Sequence, residues 1–206
     1  MNKQDLFAKI DNEITKGDLY ICISGYSCSG KTTLAKEISE RYSYLKPLVL
    51  CEDMWYKDLS DIQRNAQGYY DMESPTAFHI SEFVMDVEKL ADLGYCYVPN
   101  YKIETNTRID KNKKVTKSPL TILDGLHTVG LFTGFDESHN FIYILVDTDI
   151  DTCITRRVDR DVSWSNLSAS RIKEHYRNVI EPNYNGCYNR LRSVIKEKGE
   201  RGVLLK

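Results

Sequence analysis

Eight consecutive residues, Gly25-Tyr26-Ser27-Cys28-Ser29-Gly30-Lys31-Thr32, fill the pattern G-x-x-x-x-G-K-[ST]. Each residue type has a physical reason to be there. Gly25 and Gly30 let the backbone turn tightly and come close to a phosphate without a Cβ in the way. Successive N–H groups then point inward at the positive end of a helix dipole, which makes an anion-holding nest. Lys31 adds a mobile point charge at the outer phosphates, and the Thr32 hydroxyl is placed to hold Mg²⁺, with Thr33 beside it. Cys28 is either a thiol activated by the helix start or a small side chain that the loop tolerates. The stretch predicts binding of a nucleoside triphosphate, with Gly25 to Thr33 in contact with it.

Two carboxylates stand where apolar runs stop. Asp53 follows Leu48-Val49-Leu50-Cys51-Glu52, and Asp124 follows Thr121-Ile122-Leu123. An acid after a hydrophobic strand is the arrangement expected of a Mg²⁺ carboxylate in phosphate-loop enzymes. Mg²⁺ keeps several waters and needs few protein oxygens, so Thr32 with Asp124 and Asp53 would suffice. Asp53 also opens Asp53-Met54-Trp55-Tyr56, whose aromatics can line a pocket, and a carboxylate there can orient an acceptor hydroxyl and take its proton. Asp at a strand end also caps helices, so both keep a structural alternative. Glu52 competes for the role of Asp53, but neighbours in an extended segment point opposite ways.

Arginines form a third group. Asp147-Thr148-Asp149-Ile150-Asp151 can end a strand and cap a helix carrying Arg156, Arg157 and Arg160. Arg157 and Arg160 share a face by their spacing, while Arg156 points elsewhere. Guanidinium groups closing over a nucleotide stabilise charge on the transferring phosphoryl group. The alternative is a solvated face paired with Asp149, Asp159 or Asp161.

The elements that must position these groups alternate. A helix over Lys3–Thr15 precedes a strand over Leu19–Ser24, and Leu34, Ala35, Ile38 and Tyr42 recur at helical spacing after the loop. Leu48–Cys51 reads as a strand and Ile80–Leu93 as an amphipathic helix. Thr121–Leu123 and Phe141–Val146 read as buried strands, Ile150–Val158 and Ser168–Val179 as helices, and Ser193–Ile195 as a last strand. This order predicts a three-layer α/β fold of the P-loop NTPase kind, with a mostly parallel sheet, over residues 1–206 as one domain. The segment from Pro99 to Pro119 is polar and lysine-rich, with β-like pieces at Tyr101–Ile103 and Lys114–Thr116. It predicts a small flap over about 97–119.

Composition narrows the class. A formal net charge of −2 over 206 residues argues against a general nucleic-acid surface. The six cysteines show no C-x-x-C pair and no metal-ligand spacing, so reduced thiols are expected. No apolar run has membrane-spanning length, and Met1-Asn2-Lys3-Gln4-Asp5 leads into a polar amphipathic stretch, so a soluble cytoplasmic protein is expected.

Together these motifs resemble the uridine kinase family, within the uridine kinase/phosphoribulokinase group of small-molecule kinases. The resemblance covers about Leu19 to Leu204. It rests on the phosphate loop, Asp53-Met54-Trp55-Tyr56 against D-x-F-Y, and the segment Tyr70 to Phe78. The run Pro99 to Arg108 is similar to P-x-Y-x-x-x-x-H-x-R, Leu123-Asp124-Gly125 to the acidic strand end, and Val146 to Asp149 with Arg156 to Asp161 to V-D-T-D…R-R-V-x-R-D. The resemblance implies ATP-dependent phosphorylation of a nucleoside 5′-hydroxyl. In it, Asp53 activates the hydroxyl, Arg160 reaches the phosphates from the lid, and Thr32 and Asp124 hold Mg²⁺. Glu73 and Arg157 would contact the ribose, Tyr56, Tyr101 and Asn106 would frame the base, and Arg108 and His175 would join the acceptor site. A helical lid over about 157–170 and a homo-oligomer fit the same picture. The sequence departs from the family at Asn106, in place of His, at Ser74, and in Ser163 to Ser168, which lacks the lid's arginine run. His127, in Gly125-Leu126-His127, is similar to a phosphoribulokinase run. Alternatives are another alcohol acceptor (nicotinamide riboside, pantothenate, ribulose phosphate) or a nucleotide-binding regulator. A GTPase reading fails, because Asn112-Lys113-Lys114-Val115 lacks the Asp of N-K-x-D.

Overall fold

The computed structural model describes residues 1–64, 68–135, 138–163 and 167–206. The chain opens with helix α1 (Lys3–Ile14), whose first turn is closed by Asn2 Oδ1 accepting the Asp5 N–H at 2.9 Å. Strand β1 (Leu19–Gly25) leads through the glycine-bracketed loop into α2 (Lys31–Arg41), and β2 (Leu48–Cys51) follows. Then come α3 (Ile80–Leu93), β3 (Tyr95–Lys102), β4 (Thr107–Thr116), β5 (Leu120–Asp124) and the short α4 (Thr128–Leu131). The chain ends with β6 (Asn140–Val146), α5 (Ile150–Val162), α6 (Ala169–His175), α7 (Glu181–Glu197) and β7 (Gly202–Leu205).

The main sheet runs β2-β5-β1-β6-β7, and every pairing in it is parallel. β1 is buried along its whole length, as a central parallel strand covered on both faces must be. Its alternate residues face opposite layers. Leu19, Ile21 and Ile23, with Ile142 and Ile144, meet Leu6 and Ile10 of α1 and Leu34 and Ile38 of α2. Tyr20 and Cys22, with Phe141, Tyr143 and Leu145, meet Phe83 and Leu90 of α3 and Tyr188 and Leu191 of α7. Each fully buried Leu, Ile or Phe among them contributes about 1.5–3 kcal/mol. The register places Cys51 beside Asp124, Asp124 beside Ile23, and Val146 beside Gly25. The carboxyl ends of four strands therefore share one edge, where ligands bind in open parallel sheets.

The residues expected as a last strand, Ser193–Ile195, lie inside α7. Tyr188, Leu191 and Ile195 recur there at helical spacing and are buried, and this period outweighs the β-branched pair. The last strand is instead β7, parallel to β6. The helix expected over Ser168–Val179 starts where Ser168 caps Arg171, but it does not stop at 179. A π-turn at Tyr176–Ile180 carries it into α7, with Pro182 in the first turn, where its missing N–H costs little. α5 also runs past Val158 to Val162.

The expected flap is an antiparallel β3–β4 hairpin, longer than its two sequence pieces, with a bulge between Val98 and Asn100. Its base is core, since Cys96, Val98 and Val115 are buried against α3, while Lys102, Lys113 and Lys114 face solvent. Ile103 belongs to the turn rather than to the strand. All six cysteines are free. Among the described residues no helix is long and apolar enough to cross a membrane.

Candidate active site

Steric crowding explains the loop's glycines. A Cβ on Gly25 would fall 2.7 Å from Ser29 Oγ and 2.8 Å from the Val146 carbonyl, so only Gly lets β1 pass β6 there. Gly30 turns into α2 at φ 106°, and Cys28 also takes a left-handed φ of 64°. The loop is braced from outside. Thr148 Oγ1 donates to the Ser29 carbonyl at 2.8 Å, and Tyr26 stacks on Tyr188 at 4.4 Å. Tyr26 thus gives the loop its backbone while its ring belongs to the core.

Two cavities meet at this loop. One, about 600 Å³, is lined by Ser29, Gly30, Thr33, Thr148 and Arg156. The other, about 440 Å³, is lined by Asp53, Tyr56, Glu73, Tyr101, Asn106 and Arg157. Cys28, Lys31, Thr32 and Arg160 line both. A group bound in one cavity can therefore meet a group bound in the other at Lys31. The Lys31 ammonium donates to the Tyr26 carbonyl at 2.9 Å, so it is held at the junction.

The acids collect in the second cavity. Thr32 Oγ1 donates to Asp124 Oδ2 at 2.7 Å, and Asp124 Oδ1 is buried with no hydrogen-bond partner among the described residues. Burial raises the Asp124 pKa, opposed by the Thr32 hydrogen bond and Lys31. A hydroxyl beside a carboxylate with one oxygen unspent fits Mg²⁺, which takes few protein ligands. Asp53 is reached by solvent through the cavity mouth, yet protein surrounds it. Desolvation, then the charge of Glu52, pushes its pKa up to about 6 against the pull of Lys31, with Asp124 and Glu73 adding to the rise.

Arg157 joins three partners. Its guanidinium donates to Glu73 Oε1 at 3.1 Å, to Ser27 Oγ at 2.7 Å and to Asp161. Glu73 is buried, and its second oxygen has no hydrogen-bond partner among the described residues. Burial raises the Glu73 pKa, with Arg157 and Lys31 opposing. Arg160 shares Asp161 with Arg157 at 2.8 Å. Of the expected pairing acids, Asp161 is the one engaged, and the two arginines still reach the cavity. Tyr56 stacks on Phe78 at 4.1 Å and meets Tyr101 at 5.2 Å, forming an aromatic wall. Asn106 closes the hairpin turn at φ 51°, a backbone state Asn tolerates well. Its presence has a conformational cause beside any recognition.

Two expected acceptor residues lie elsewhere. Arg108 turns away from the cavity to Glu82 of α3 at 2.7 Å, while its N–H donates to Asp58, so it fastens the flap to the body. His175 lies outside the cavity lining and against the Tyr69 ring at 4.8 Å. Burial lowers its pKa, aided by Arg157. Of the lid segment lacking arginines, residues 164–166 lie outside the described residues.

Sequence reasoning missed two features. Arg156, expected to point away, donates to the carbonyls of Cys28 and Ser29 at 3.3 and 3.4 Å and lines the first cavity. The loop curls round to meet a second face of α5, which helical spacing alone does not reveal. Glu52 points away from Asp53 as expected, but through a 3₁₀ turn (Glu52–Trp55) rather than an extended strand. It ends on His127, with its carboxylate 2.7 Å from Nδ1. The unusual Gly125-Leu126-His127 run was the one available signal.

Residues 20–193 match the family model described as Phosphoribulokinase / Uridine kinase family. A uridine kinase of Ligilactobacillus salivarius is 31% identical over 192 residues, covering 90% of this chain and 88% of that protein. A uridine kinase of Ureaplasma parvum is 29% identical over 177 residues, with 82% of each covered. A solved structure from Silicibacter sp. TM1040 superposes with a TM-score of 0.70 at 14% identity, covering 88% of this chain and 91% of that one, which speaks for the fold alone. With a phosphate loop, an acid-lined neighbouring cavity and these relatives, the chain belongs to the phosphoribulokinase/uridine kinase family and is a phosphotransferase acting on an alcohol.

Proposed function

We propose that the chain transfers the γ-phosphoryl group of ATP to the 5′-hydroxyl of a pyrimidine nucleoside such as uridine or cytidine. The observation that carries this reading is the meeting of two cavities at Lys31, Thr32 and Arg160, with Asp53 on one side and the phosphate loop on the other. In this reading, the loop N–H groups from Gly25 to Thr33 hold the phosphates, and Lys31 and Arg160 balance charge on the group in transit. Thr32, Asp124 and Asp53 would hold Mg²⁺, which would supply positive charge against the phosphates.

Asp53 orients the acceptor hydroxyl and takes its proton as the new oxygen–phosphorus bond forms and the bond from the γ-phosphorus to the bridging oxygen breaks, releasing ADP. The free oxygen of Glu73 accepts from one ribose hydroxyl, and Arg157, fixed by Glu73 and Asp161, donates to the other. The wall of Tyr56 and Tyr101 stacks a base, with the Asn106 amide at its edge. The flap and the helix bearing the arginines close over the two substrates and exclude water. Arg108 and His175 are left out of acceptor contacts.

A panel of uridine, cytidine, 5′-deoxyuridine, nicotinamide riboside and pantothenate with MgATP, read by mass of the product, tests this. Phosphate on uridine or cytidine but not on 5′-deoxyuridine is expected. Transfer to pantothenate alone would remove the nucleoside reading. Nicotinamide riboside offers the same ribose contacts, so a preference for it would move the base assignment only.

A further inference from the structure

The β2–β5 ladder ends at the pair Cys51 and Asp124. Just beyond it stand the two turns that carry Asp53 and follow Asp124, and a side-chain contact joins them where the ladder stops. Glu52, fully buried, accepts the His127 backbone N–H at 3.0 Å on one oxygen and meets His127 Nδ1 at 2.7 Å with the other. Gly125 makes the crossing possible, because a Cβ there would fall 2.1 Å from Glu52 Oε2. The far turn is itself pinned to β1. Gly125 N–H donates to the Ile23 carbonyl at 3.1 Å, Thr128 Oγ1 donates to the same carbonyl at 2.9 Å, and the Val129 N–H donates to Ser24 Oγ at 3.0 Å. Phe78 meets the His127 ring edge-on at 5.4 Å.

A buried carboxylate–imidazole pair is a poor way to gain stability, since apolar residues of similar volume do as well or better. What it supplies is direction, because two hydrogen bonds to one carboxylate fix both distance and angle. We propose that Glu52 and His127 are positioning residues, a strap that sets Asp53 relative to Asp124 so that the acceptor hydroxyl and the metal-bearing phosphate face each other correctly. The inference rests on the roles given above to Asp53 and Asp124. A misplacement of about 1 Å at such a site costs on the order of a hundredfold in rate.

The test compares the full-length wild type with Glu52→Gln, Glu52→Leu, His127→Leu and the double Leu variant. Three quantities are read: kcat and KM with uridine or cytidine, the ratio of ATP affinities with and without Mg²⁺ by calorimetry, and the Tm. Each single Leu variant is expected to lose about ten- to a hundredfold in kcat, with acceptor KM within about twofold, and several-fold in Mg²⁺ enhancement. The double variant removes both side chains together and leaves only the His127 backbone N–H unpaired, so it should regain part of the Tm lost by either single variant. It should not regain kcat or Mg²⁺ enhancement. Glu52→Gln keeps an oxygen for the His127 N–H and offers an amide N–H to Nδ1, so it should keep about half of kcat or more.

A double variant that recovers kcat along with Tm overturns the proposal, as does a Gln variant as impaired as Leu. If the single variants do not fold, the double and Gln variants decide. If the wild type phosphorylates neither nucleoside, the acceptor reading falls instead. The Mg²⁺ ratio then decides the strap alone: unchanged in the double variant overturns it, reduced supports it.

Discussion

The Thr32 hydroxyl donates to Asp124 across 2.7 Å, joining the first turn of α2 to the end of β5. This contact couples the triphosphate loop to the neighbouring sheet strand through two oxygen-bearing groups suited to one divalent cation. Asp124→Asn keeps the shape and removes the charge. We expect Mg²⁺ to strengthen ATP binding at least tenfold less in this variant than in the wild type, with metal-free ATP affinity nearly unchanged. Calorimetry at several Mg²⁺ concentrations checks this, and an unaltered Mg²⁺ dependence would take Asp124 out of the metal site.

Asp53→Asn should lower turnover about a hundredfold or more while leaving metal-free ATP affinity nearly intact. The folded pKa, pushed up to about 6, lies above the ordinary 3.8, so the folded chain favours the protonated acid. The native state therefore binds more protons than the unfolded one between about pH 4 and 6, and this group's contribution to stability falls as pH rises through that window. At pH 7 the charged Asp53 is a burden on the fold, and the neutral Asn variant should melt higher. A melting series from pH 4 to 8 should show the gap between variant and wild type opening across that window.

The same acid sets a limb in the rate. If Asp53 must be ionised to take the proton, kcat/KM should fall tenfold per unit as pH drops below about 6. A flat profile from pH 5 to 8 in the wild type would exclude Asp53 as the base.

Arg157→Met leaves Glu73 buried beside a hydrocarbon. Removing one partner of a buried pair costs about 3–5 kcal/mol when both are fully enclosed. Solvent reaches part of Arg157, so a loss on the order of 2 kcal/mol is expected, read by urea unfolding. Acceptor KM should rise at least tenfold, and Arg157→Lys should not restore it, because an ammonium lacks the planar fork whose Nε reaches Asp161 while Nη1 reaches Glu73 and Ser27.

Asn106 has two separable duties. Asn106→Gly keeps the left-handed turn and discards the amide, whereas Asn106→Ala discards both. The Ala variant should lose about 1 kcal/mol of stability relative to Gly. Both should raise KM for the base-bearing acceptor equally if the amide touches it. Equal stability for the two would deny the turn its strain, and unchanged KM would deny the amide its contact.

Where a residue's neighbours lie close in sequence, the chain was readable. The loop, β1 and α3 follow from local periodicity and glycine placement. The tertiary partners were not. Ser193–Ile195 has strand-forming residues, yet burial of Tyr188 and Leu191 makes the helical period prevail. Arg108 fits the family pattern by position, yet Glu82, twenty-six residues away, claims its guanidinium. Spacing along α5 does not place Arg156, because the loop it touches lies 127 and 128 residues earlier. The carboxylates Asp53 and Asp124 stand out as candidates because strand ends gather at one sheet edge, a rule of topology rather than of local sequence.

The proposal that a phosphate donor and its acceptor fill the two cavities meeting at Lys31 is tested most directly with a linked ligand, adenosine joined to uridine through a 5′,5′-tetraphosphate. The account predicts binding at least about a hundredfold tighter than MgATP alone, competitive against both ATP and uridine, because one molecule fills both halves without a second association cost. Affinity no greater than that of ATP, with uridine unable to compete, would contradict it.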